Sequence, residues 1–97
     1  MGEKRIADWL VAQKIAYIYD ERFRIAEGDL IRPDFYLPEF DIYIEYWGMD
    51  TPEYNERHEH KLHLYQRASK KLISLSPHDL PSLESTLSLK LSRYIRL

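Results

Sequence analysis

Pro33 stands inside an apolar, strand-like run, and it limits what the surrounding chain can become. Proline has no N–H to give to a sheet ladder, so the backbone leading into Asp34 suits the end or edge of a strand. Side chains alternate across a strand, so Phe35 and Leu37 point away from the aspartate, toward a core. A second strand follows at Asp41 to Trp47. There Ile42, Ile44 and Tyr46 share one face, and Tyr43, Glu45 and Trp47 share the other. Asp34 and Glu45 therefore sit on adjacent strands, and two acids so placed look like a site for a divalent cation, which takes hard oxygen ligands.

The rest of the chain reads as a frame for these strands. From Gly2 to about Lys14, Ile6, Trp9 and Leu10, with Ala7 and Val11 a little round the helix, recur at helical spacing. Glu3 lies at the start of that stripe, where a helix N-terminus favours negative charge. Ile15 to Phe23 is rich in β-branched and aromatic residues and predicts a strand, and Ala26-Glu27-Gly28-Asp29 supplies a turn. Leu30 to Leu37 predicts the second strand and Asp41 to Trp47 the third, joined through Pro38-Glu39-Phe40-Asp41. Thr51 is a candidate N-cap with Pro52 at the first helical position, and the helix should run to about Lys71, with Tyr54, His58, Lys61, Tyr65 and Ala68 facing inward. Leu72-Ile73-Ser74-Leu75 predicts a fourth strand, ended by Pro77. Asp79 can cap a last helix beginning near Pro81, with a stripe of Leu80, Leu83, Leu87, Leu91 and Tyr94.

Ninety-seven residues, 44% of them hydrophobic, suffice for one domain over residues 1–97 with a single core. The absence of cysteine excludes disulfides, thiolate zinc sites and a cysteine nucleophile. No apolar run is long enough to cross a bilayer and no signal-peptide core is present, so a soluble, cytoplasmic or nucleoid-associated protein is expected. A net charge of -2 argues against wholesale coating of nucleic acid. Arg57, Lys61, Arg67, Lys70 and Lys71 nevertheless gather in one segment with His58, His60 and His63, which can be locally basic or simply a solvated helix face. The offsets of those histidines spread them round a helix and do not make the i, i+4 pair of a helical zinc site.

Glu3, Asp34 and Glu45, in the order helix, three strands, helix, strand, helix, resemble the PD-(D/E)xK nuclease superfamily over nearly the whole chain. The fold this implies is α/β, a restriction endonuclease-like core with a four-stranded mixed sheet flanked by helices. Pro33-Asp34-Phe35-Tyr36-Leu37 and Tyr43-Ile44-Glu45-Tyr46-Trp47-Gly48 are most similar to the nuclease-like domains associated with superfamily I helicases of the helicase IV type. The resemblance implies a metal-dependent DNA nuclease of repair, recombination or restriction. Asp34 and Glu45 would hold Mg²⁺ or Mn²⁺, and Glu3 would add a direct or water-mediated contact. DNA is the implied partner, a helicase portion of a longer parent protein is a second, and the aromatic surface suits a symmetric dimer.

One position departs from the family's pattern. Trp47 stands where the motif places its lysine, two residues after the acid. Lys61 on the following helix, four residues before Tyr65, fits a slot that related nucleases use for a migrated lysine, and it would clamp the attacking water or the phosphate. His58, Tyr65, Arg32 and Trp47 are the further candidates for contact with DNA, and Tyr36, Tyr43, Tyr46 and Tyr54 could stack on unpaired bases. Each has a plainer reading: a helix-capping acid for Glu3, a lysine stem lying over apolar surface for Lys61, and core packing for the aromatics. The alternative function is a catalytically inactive nuclease fold that binds DNA or protein.

Overall fold

Helix α1 spans Gly2–Ala12 and buries Gly2, Ile6 and Leu10 along one line, as its spacing predicts. The computed structural model describes residues 2–26, 29–48 and 51–96. Helix α1 is stopped by Lys14, which takes a left-handed φ of 59° and lets the Ile15 N–H reach the Leu10 carbonyl at 2.9 Å. Strands β1 (Ile18–Tyr19) and β2 (Phe23–Ala26) replace the single strand expected over Ile15 to Phe23. The break falls at Asp20, another residue of positive φ, whose N–H bonds to the Asp34 carbonyl at 3.0 Å.

The expected strand Leu30 to Leu37 is likewise two strands, β3 (Asp29–Ile31) and β4 (Phe35–Leu37), because Pro33 cannot continue a ladder. β2 and β3 pair with each other as a separate antiparallel ribbon. Of the turn expected between them, Glu27 and Gly28 lie outside the described residues. A tight turn ending in Asp41, at φ 54°, leads from β4 into β5 (Ile42–Tyr46).

Helix α2 (Pro52–Arg67) starts as expected, with the Thr51 side chain accepting the Tyr54 N–H at 3.2 Å. It stops short of Lys71 because Ser69 turns left-handed and the Lys70 N–H closes on the Tyr65 carbonyl. Lys71 then opens β6 (Lys71–Leu75). A 3₁₀ segment, Pro77–Ser82, precedes α3 (Leu83–Leu91). Asp79 is not the N-cap of a helix at Pro81; from inside the 3₁₀ segment its carboxylate accepts the Ser76 N–H at 2.9 Å.

The main sheet has the order β1-β4-β5-β6, antiparallel except for the parallel β5–β6 pair that α2 bridges. The molecule is thus α/β with a four-stranded mixed sheet. One face of that sheet packs Phe35, Leu37, Ile42, Ile44, Ile73 and Leu75 against Ile6 and Leu10 of α1 and Leu83, Leu87 and Leu91 of α3. Each such side chain contributes about 1.5–3 kcal/mol on burial. The other face carries a smaller cluster of Ile31, Tyr43, Leu64 and Tyr65 under α2. Among the described residues no helix is long and apolar enough to cross a membrane.

Candidate functional site

β4 and β5 pair with Phe35 opposite Ile44 and Leu37 opposite Ile42. Carried one residue toward the end of β4, that register sets Asp34 opposite Glu45, on the face turned from the aliphatic core. The parallel crossover lays α2 over this same face, and its inward line brings Lys61 and Tyr65 onto Glu45.

Glu45 is 1% exposed, the one charged side chain that is buried among the described residues. Lys61 Nζ lies 3.0 Å from its Oε1 and 2.9 Å from its Oε2, and the Tyr65 hydroxyl donates to Oε2 at 2.6 Å. Burying a carboxylate without partners is prohibitive, so these contacts permit it to stay there. The Lys61 ammonium also donates to the Arg32 carbonyl at 2.9 Å. Burial, then the charge of Glu45, raises the Tyr65 hydroxyl far above the ordinary phenol range, so it remains a donor.

Asp34 is half-buried, and its Oδ2 accepts the Tyr46 N–H at 2.6 Å. Burial raises its pKa from 3.8 to about 7, with Glu45 and Glu3 adding repulsion; the Tyr46 N–H and Lys61 oppose the rise and lose. Among the described residues Oδ1 has no partner.

Asp34, Glu45, Trp47, Tyr54, Arg57, His58 and Lys61 together line a cleft of about 260 Å³. Trp47, 9% exposed, forms one wall and stacks on His58 with ring centroids 3.8 Å apart and planes 7° apart. Lys61 Nζ is 5.7 Å from the Trp47 ring, a cation–π distance. A hollow of about 380 Å³ beside Glu56, His60 and His63 is larger but, apart from Leu64, lined by exposed polar side chains. The smaller cleft is where ionisable groups leave water.

Asp34, Glu45, Lys61, His58 and Trp47 therefore come together from the sequence candidates. The others lie elsewhere. Glu3 does not line the cleft; its carboxylate accepts from the Tyr19 hydroxyl, and it is felt at Asp34 only through its charge. Arg32 turns its exposed guanidinium to Asp20, 2.8 Å away, and offers the site only its carbonyl. Tyr65, 1% exposed, sits behind Glu45 and not on a surface that DNA could meet, because its hydroxyl is needed by the buried acid. Tyr43 is 3% exposed and packs between Tyr36 and Tyr65, which removes it from base stacking. Tyr54, expected on the inward line of the helix, lines the cleft as well, and Arg57 joins it without having been singled out, although Arg57 precedes Lys61 by the four residues that put two side chains on one helix face.

No protein-family model, curated protein or solved structure matches this chain.

Proposed function

We propose that the chain is a metal-dependent DNA nuclease with a PD-(D/E)xK, restriction endonuclease-like core. One observation carries the reading: a 1% exposed Glu45, paired with Lys61, faces an open cleft beside a second carboxylate whose proton affinity is raised. A small domain keeps a buried charge cluster at a cost in stability, and perturbed carboxylates in a cleft are a mark of function.

The donor set fits a hard divalent cation. An ionised carboxylate offers about four lone-pair sites, and three contacts on Glu45 leave room for one more ligand, on Oε1. Asp34 has Oδ1 to offer. Among the described residues no three of His, Cys, Asp and Glu converge as a metal cage. Two carboxylates, with water and substrate phosphate filling the remaining positions, are what Mg²⁺ commonly accepts. Asp34 and Glu45 would hold the ion, which when bound supplies a more acidic water and neutralises charge on the phosphate.

The chain's own residues do the rest. Lys61 and Tyr65 fix the Glu45 carboxylate in one orientation, and the Tyr46 N–H fixes that of Asp34. Trp47 and His58 stack as one flat wall of the cleft. DNA is the proposed partner, with a helicase portion or a second copy of the chain as further proposed partners.

The test is cleavage of supercoiled plasmid and of a labelled single strand in Mg²⁺ or Mn²⁺. Wild type should cut, Asp34→Asn and Glu45→Gln should not, and Lys61→Met should lose about 10–100-fold as an orienting partner of a ligand. Cutting by Asp34→Asn at the wild-type rate would overturn the proposal. Trp47 at the lysine position favours a second reading, an inactive module that binds DNA. Metal-dependent DNA binding without cleavage by wild type would select it.

A further inference from the structure

We infer that Arg57, and not Lys61, is the cation that holds the DNA phosphodiester in the carboxylate cleft, an inference that rests on the nuclease reading and names the group its substrate meets. An ammonium has three N–H groups. Lys61 has three acceptors around it, Glu45 Oε1 at 3.0 Å, Glu45 Oε2 at 2.9 Å and the Arg32 carbonyl at 2.9 Å. To reach a phosphate it would have to leave a carboxylate that is 1% exposed, stranding a buried charge. Lys61 is therefore a positioning residue for Glu45.

Arg57 is placed differently. It lies one turn earlier on the same face of α2, it is exposed, and it lines the cleft beside Asp34 and Glu45. Its guanidinium rests 5.9 Å from the centre of the Tyr54 ring, and among the described residues it has no carboxylate partner. A planar guanidinium with five donors matches two phosphate oxygens at once, and a ring beneath it limits the orientations it must give up on binding. With Lys61 committed to Glu45, Arg57 is the cleft's remaining full positive charge against two acids, and without it the cleft would repel a polyanion. His58 is fixed by its stack on Trp47 and adds a ring nitrogen at the same rim. The contact is to backbone, so it carries no base information and should act alike on all sequences.

The experiment measures binding of fluorescein-labelled single- and double-stranded oligonucleotides in Ca²⁺ across a salt series, together with Mn²⁺-supported steady-state cleavage. Arg57→Gln should raise the Kd about tenfold for every sequence, flatten the salt dependence by about one phosphate contact and raise KM with kcat little changed. Arg57→Lys should keep the salt slope at intermediate affinity. Lys61→Met should lower kcat and keep the salt slope, and Arg93→Gln, on the other side of the sheet, sets the baseline. A wild-type salt slope and KM in Arg57→Gln, or loss of that slope in Lys61→Met, overturns the inference, as does absence of DNA binding by wild type. Failure of the nuclease reading looks different: wild type binds DNA with an Arg57-dependent slope and does not cut, which leaves the phosphate contact supported.

Discussion

Asp34 should make the metal-free protein less stable as pH rises, and Asp34→Asn should remove that loss. The native state binds this proton more tightly than the unfolded chain, since the pKa moves from 3.8 to about 7. Stability from this group is therefore fully present below about pH 4 and is lost as pH climbs through about 7. At about 1.36 kcal/mol per tenfold change in proton affinity, the full difference is about 4 kcal/mol. Asp34 is only half-buried, and solvent screening reduces this to about 1–2 kcal/mol. Asparagine keeps an oxygen for the Tyr46 N–H and is nearly the same size, so the substitution isolates the charge. Urea unfolding in EDTA at pH 5, 6, 7 and 8 reads the effect. The stability of Asp34→Asn minus that of wild type should grow by about 1 kcal/mol from pH 5 to pH 8, the part of the difference not already lost below pH 5, with other titrations cancelling in the difference. Parallel pH profiles, or a variant that loses ground on wild type as pH rises, would refute the reasoning that burial and neighbouring acids control Asp34.

Lys61→Met should destabilise the protein by about 2–3 kcal/mol, toward the low side for a broken buried pair because Tyr65 still serves Glu45, and Glu45→Gln in the same chain should recover most of it; urea midpoints of the single and double variants check this. Tyr65→Phe should cost about 1.5–3 kcal/mol, and a double-mutant cycle with Lys61→Met should show coupling of about 1 kcal/mol, since both side chains hold one carboxylate. Gly2→Val should cost about 1–3 kcal/mol, because a Cβ at Gly2 would sit 2.5 Å from the Tyr46 ring, and thermal unfolding should show the penalty largely relieved by Tyr46→Ala.

How much of this was legible follows from the range of each interaction. The alternation in Asp41 to Trp47 and the proline before Asp34 are local, and they suffice to put the two acids on one face. The helical stripe that brought Lys61 and Tyr65 inward is equally local. The split of two expected strands into four was harder to read. The first break depends on Asp20, a non-glycine residue in the left-handed region, and on its N–H bonding to the Asp34 carbonyl across the whole β2–β3 ribbon, whereas the second falls at Pro33. Glu3 looked like a third ligand because its distance from the acids is tertiary; Tyr19, on an edge strand, takes its carboxylate. Arg57 was visible as one charge in a basic run, but its role depends on Lys61 being held by Glu45 and the Arg32 carbonyl, contacts that only coordinates supply.

The measurement that bears most directly on the site is calorimetric titration of Mn²⁺ into the metal-free protein and its Asp34→Asn and Glu45→Gln variants. Two carboxylates held for one ion predict saturable binding at a single site per chain, weakened at least about tenfold in either variant, while Arg57→Gln binds as wild type does. Equal Mn²⁺ affinity in wild type and both carboxylate variants, or no saturable binding by wild type, would contradict the account.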